Sequence, residues 1–280
     1  MLRAMTRDRD IASHYRHGAL LQAIDQALIA AGKDPRHLSP EDLAPVDEFH
    51  IGGRAATTAL LAQLAPKPGT HWLDIGSGLG GGARYLAAGH GCQVTGIDLT
   101  AEYVQVAQDL ARRVGLADRV AFREGSATDL PFAGASFDGA VMLHVGMNIA
   151  DKAALAAGVR RVLRPGGIFA IYDVMRLAEG DLAFPVPWAA GAATSFLASP
   201  AAYRTALEAA GFAIEGERDR AAFALDFFRA VRARAAAEGR PALGLHVVMG
   251  AGAREKTENM VRNLERGLIA PVEIIACAPA

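Results

Sequence analysis

Twelve residues, His71 to Gly82 (HWLDIGSGLGGG), constrain this chain more than any other stretch. Trp72, Leu73 and Ile75 read as a short buried strand. Gly76-Ser77-Gly78-Leu79-Gly80-Gly81-Gly82 follows as a turn, and Ala83 to Ala88 has helix-forming composition. Glycines adopt backbone conformations that other residues resist, and they let a ligand come close to the main chain. Free N–H groups at the start of the next helix point at that ligand. Strand, glycine turn and helix together predict a nucleotide-binding corner.

Two cofactors fit the spacing. Gly76, Gly78 and Gly81 satisfy G-x-G-x-x-G, the dinucleotide fingerprint. Gly76, Gly78 and Gly80 equally satisfy G-x-G-x-G, the form found in S-adenosylmethionine (SAM) enzymes. Asp74 helps to choose. A carboxylate two positions before the first glycine repels a pyrophosphate but favours the ammonium and sulfonium of SAM. A second apolar strand, Cys92 to Leu99, ends in Asp98, 22 residues past Gly76. That is close to the ~20-residue spacing at which an acid meets ribose hydroxyls. Its two acceptor oxygens can take both hydroxyl protons, with Leu99 packing on the adenine face.

The chain resembles the class I SAM-dependent methyltransferases over roughly Phe49 to Val174 plus the last strand. Within them it is most similar to the small-molecule branch that includes sarcosine/dimethylglycine N-methyltransferases. DEFHIGGR from Asp47, HVGMNIADK from His144 and RVLRPGGIFAIYDV from Arg161 carry the narrower likeness. The resemblance implies an α/β, Rossmann-like doubly wound fold with a mostly parallel seven-stranded sheet, and SAM as cofactor. It implies a cofactor-facing set of Asp74, Gly76, Ser77, Gly78, Gly80, Asp98, Leu99, Leu143 and His50. Ser126-Ala127 stands where the family commonly has Asp-Ala. The Ser126 hydroxyl accepts without charge, which puts its adenine contact in doubt, and the Ala127 N–H remains for the ring. In similar O-methyltransferases a His and an Asp act at positions matching His144 and Asp173, the first as base and the second as its orienting partner, while direct contact with SAM or substrate is the other reading of His144. Tyr15, Met147 and Trp188 are assigned to the acceptor, since an aromatic face can hold a cationic amine.

In chain order, residues 1–48 read as an N-terminal helical cap: Ile11 to Tyr15, then Ala19 to Ala31 with an apolar stripe, then a helix opened by Ser39-Pro40. Residues 49–280 read as the SAM-binding domain. A Pro-rich apolar segment, 184–197, suits a substrate-pocket wall. Between about 220 and 270 the pattern predicts a helical insertion before the last strand, made of two long helices, Leu225 to Glu238 and Leu243 to Leu268.

The 280 residues are 51% hydrophobic with a net charge of -1, so no global field recruits nucleic acid or an anionic membrane. No run reaches the ~18 apolar residues of a membrane span, and the N-terminus lacks an apolar signal region. Cys92 and Cys277 make neither a disulfide framework nor a metal quartet. The expectation is a cytoplasmic enzyme with no metal that methylates an amine or hydroxyl of a small molecule. A homodimer is left open. Two other classes stand beside it: an NAD-dependent oxidoreductase, against which Asp74 argues, and a non-catalytic SAM-binding protein.

Overall fold

The computed structural model describes residues 2–279, with side chains from residue 8 onward. Four helices come first: α1 (Leu2–Tyr15), α2 (Leu20–Ala30), α3 (Pro40–Asp47) and α4 (Gly53–Leu64). The stripe of α2 buries Leu20, Ile24 and Leu28. At the start of α3, Ser39 Oγ accepts the Asp42 N–H while the Asp42 carboxylate accepts the Ser39 N–H. That reciprocal cap satisfies two otherwise orphaned donors.

Strands and helices then alternate: β1 (His71–Ile75), α5 (Gly81–His90), β2 (Gln93–Asp98), α6 (Ala101–Arg113), β3 (Val120–Glu124), β4 (Phe137–Leu143), α7 (Lys152–Val162) and β5 (Leu163–Arg176). After a long loop come α8 (Pro200–Ala209), β6 (Ala213–Asp219), α9 (Ala221–Glu238), α10 (His246–Met249), α11 (Ala253–Glu265) and β7 (Ile269–Cys277). The seven strands form one sheet in the order β3-β2-β1-β4-β5-β7-β6. The order reverses between β1 and β4, and beyond the carboxyl ends at such a point an open α/β sheet holds its ligand.

The sheet is mixed. Four pairings are parallel, but β7 runs antiparallel to both β5 and β6. Antiparallel neighbours need no crossover, so the helices between β6 and β7 elaborate what could be a hairpin. The second of the two expected insertion helices is divided: α10 ends before Gly250 and α11 starts after Gly252. The Arg164-Pro165-Gly166-Gly167 turn lies inside β5, where register against β4 slips between Phe137 and Gly139.

Two apolar layers sandwich the sheet. One packs Leu155, Val159, Tyr203 and Leu207 of α7 and α8 on Phe169 and Ile171. The other packs Leu60, Leu86 and Ala107 of α4, α5 and α6 on Trp72, Val141 and Tyr172. A third cluster joins α2 and α3 to α6 through Leu28, Leu43, Tyr103 and Leu110. Among the described residues no helix is long and apolar enough to cross a membrane.

Candidate active site

A cavity of about 260 Å³ opens where the strand order reverses. Its floor is the glycine turn. Gly76 and Gly78 have φ of +67° and +53°, values that side-chain-bearing residues resist. A Cβ on Gly76 would overlap Val145, whereas one on Gly78 would meet nothing, so the main chain there is open to a ligand. Gly80 sits off the cavity, against Phe122 and Arg84, as the residue that opens α5.

Two acids stand at the strand ends. Asp98 accepts the Gly78 N–H at 2.9 Å on Oδ2 and the Thr100 N–H at 2.8 Å on Oδ1. The Thr100 hydroxyl and the Leu99 N–H also act on this carboxylate, which lines the cavity. Asp74 is 3% exposed. Burial, followed by the nearby Glu48 and Asp98 charges, pushes its carboxyl up to about 7. Leu99, Ser126, Ala127 and Leu143 line the same space. The Ser126 hydroxyl turns back on Thr128 Oγ1 at 3.0 Å.

The loop between α3 and α4 forms the roof. Glu48, 2% exposed, accepts from Arg54 Nε at 2.6 Å and Thr57 Oγ1 at 2.6 Å, and lies 2.9 Å from His50 Nε2. Burial works to raise its carboxyl, but the His50 hydrogen bond and the charges around it hold it down at about 2. Asp47 pairs with the buried Arg84 of α5 at 2.5 Å. A Cβ on Gly81 would strike Asp47, so this glycine allows the roof to seat on the turn.

His144 and Asp173 do not meet. Successive strand residues point to opposite faces, and here Tyr172 and Asp173 divide that way. His144 Nδ1 lies 3.1 Å from the Tyr172 carbonyl, and its Nε2 accepts the Ile51 N–H at 3.3 Å. Asp173 is fully buried on the other face, where it accepts from the Tyr203 hydroxyl and from the Val174 and Met147 N–H groups. The expected His–Asp pairing is therefore corrected. His144 has φ of +55°. Burial, followed by His50, pushes its imidazole down to about 3.

Of the acceptor residues named from sequence, Tyr15 lines the cavity and donates to Asn148 Oδ1 at 3.0 Å. Met147 and Trp188 do not line it. They are 4% and 2% exposed and pack with Val174, Met260 and Leu264. Trp188 reaches the site only through its carbonyl, which accepts from Asn148 Nδ2 at 3.0 Å. Sequence reasoning passed over Glu48, Tyr103 and Asn148, all on the cavity wall. The two consecutive acids before Phe49 were the available signal for Glu48, and Tyr103 and Asn148 carried none.

A model for a methyltransferase domain matches residues 73–171. An O-methyltransferase of Aspergillus sclerotiorum is 35% identical over 134 residues, 48% of this chain and 51% of that protein. The chain thus spans about half the length of the curated relatives it matches. A geranyl diphosphate methyltransferase structure superposes with a TM-score of 0.73 at 20% identity, covering 97% of this chain and 99% of that one. The [4+2]-cyclase SpnF superposes at 0.66 with 22% identity, over 92% and 94%. At such identities the structural likeness speaks for the fold. The methyltransferase-domain match falls on the stretch from β1 into β5 that carries the glycine turn and both strand-end acids.

Proposed function

We propose that the protein is a SAM-dependent methyltransferase acting on a hydroxyl or amine of a small molecule. The observation that carries this reading is the convergence of Asp74, Asp98 and the open turn at Gly78 on one roofed cavity. The matched domain and the O-methyltransferase relative support it. Bound SAM supplies an electrophilic methyl group on a cationic sulfur. Asp98 accepts from the ribose, Leu99 and Ala127 flank the adenine, and ionised Asp74 with Glu48 gives the cationic end a negative wall. Tyr15 and Asn148 face the acceptor as hydrogen-bonding groups that hold it in line, and His144, both ring nitrogens taken by backbone groups, gives it a neutral wall.

In this reading residues 1–48 are a cap over the site, 49–280 the catalytic domain, and 220–270 its helical insertion. Its partner is a small-molecule acceptor, with a homodimer left open, and two free thiols suit a reducing cytoplasm. The SpnF neighbour keeps a second reading in view, since this fold also serves a [4+2]-cyclase.

Calorimetric titration with SAM, S-adenosylhomocysteine and NAD tests the cofactor. Micromolar binding of the two sulfur nucleotides and none of NAD is expected. Because a protonated Asp74 offers no charge to a cation, SAM affinity should weaken below pH 7, by up to about tenfold per unit, and Asp74→Asn should flatten that slope. Binding of NAD alone would replace this reading with the oxidoreductase one. Transfer of labelled methyl to a hydroxyl or amine acceptor separates an enzyme from a SAM-binding protein.

A further inference from the structure

Tyr103 is a buried group at the cavity that the proposed reading leaves without a task. It lies in the first turn of α6, is 4% exposed and lines the cavity wall. Its ring stands edge-on to Tyr15, with centroids 5.9 Å apart. The Tyr15 hydroxyl is already bonded to Asn148. The Tyr103 hydroxyl is enclosed and has no hydrogen-bond partner among the described protein atoms. Burying a phenol unpaired is costly. Around it the packing is apolar, with Leu20, Ile24, Val106 and Leu110 in the same cluster, and phenylalanine would serve that packing equally well. Burial, followed by Tyr15, Asp98 and Glu102, raises the phenol well above its usual range, so it remains a donor. Asp98, the acid at the neighbouring strand end, can only accept.

We propose that Tyr103 is a further nucleoside-binding residue whose hydroxyl donates to the sugar of the bound nucleoside beside Asp98. Donor and acceptor would then meet the sugar together, and ligand binding would pair an atom that the fold alone leaves unpaired. This rests on the nucleotide reading of the cavity.

The test is Tyr103→Phe in the full chain, with calorimetric Kd for S-adenosylhomocysteine and thermal unfolding without ligand. The expected result is a Kd raised about tenfold, equivalent to about 1.4 kcal/mol, with a ligand-free Tm equal to or above that of the parent. An unchanged Kd would overturn the proposal. So would a weakened Kd accompanied by a ligand-free Tm several degrees lower, which marks a packing residue. If the parent protein itself fails to bind S-adenosylhomocysteine, the nucleotide reading fails first, and the two failures are thereby told apart.

Discussion

His144 stands where a base would be sought, in a state unlike that of a base. Its φ of +55° puts it in the left-handed region, which costs most residues roughly 1–2 kcal/mol. Its Nε2 lone pair takes the Ile51 N–H, which leaves the Nδ1 proton for the Tyr172 carbonyl. Burial first, and then His50, holds the ring neutral down to about pH 3. Its ordinary pKa near ~6.5 would have suited proton transfer. We therefore expect no limb near pH 6.5 in kcat that traces to His144, and an NMR signature of the neutral Nδ1–H tautomer across pH 5–8. A His144 resonance titrating near 6.5 would restore the base. His144→Asn, which tolerates left-handed backbone, should unfold at higher urea than His144→Val, by about 1 kcal/mol. The placement of His144 at a strand end was legible from sequence. Its protonation was not, because both ring nitrogens are fixed by backbone groups 28 and 93 residues away.

The loop leaving β4 is the element that brings Val145 and Asn148 to the cavity. Asp173 and Tyr203 hold it from below. A Cβ on Gly146 would overlap both the Tyr203 hydroxyl and Asp173 Oδ2. From that seat the loop projects Val145 over Gly76 and Asn148 towards Tyr15. Gly146→Ala should accordingly cost about 1–3 kcal/mol in urea unfolding. Gly158→Ala is the control: it lies inside α7, and a Cβ there meets Leu130 at an ordinary 3.8 Å. That substitution should be neutral or stabilising by up to about 1 kcal/mol. Equal losses at the two positions would show that the loop has room to yield. At this scale the glycine corner, β1 and β2 were legible because short strands beside glycines leave a local pattern. The union of Asp173 with Tyr203 rather than His144 was not, since which face of β5 meets which helix is decided by α8, outside the motif. Met147 and Trp188 were misplaced for the same reason: their partners lie in α11, more than 70 residues on.

Across the whole molecule, two buried carboxyls flank the sheet on opposite sides, and they differ in what can repay their burial. Asp74 faces the cavity, where a cationic ligand can restore its charge. Asp173 faces only protein, and the cation nearest its chemistry, Lys152, donates to the Ile149 and Phe196 carbonyls. Burial, opposed first by the Tyr203 hydrogen bond, pushes Asp173 up to about 7. Unfolded, an Asp titrates near ~3.9. Between those values the folded state binds the extra proton, so the contribution of Asp173 to stability is present at low pH, falls as pH rises through this window, and stays lost above about 7. Asn cannot ionise and escapes that loss. The stability of Asp173→Asn relative to the parent should therefore improve from pH 5 to pH 8, by on the order of 2–3 kcal/mol for two titrating pH units. Urea midpoints of both proteins at the two pH values measure it. Asp74, raised in the same way, and His144, lowered and so acting in the opposite direction, also contribute in this range but cancel in the difference. A constant gap between variant and parent would mean that Asp173 is ionised throughout and that Lys152 reaches it after all.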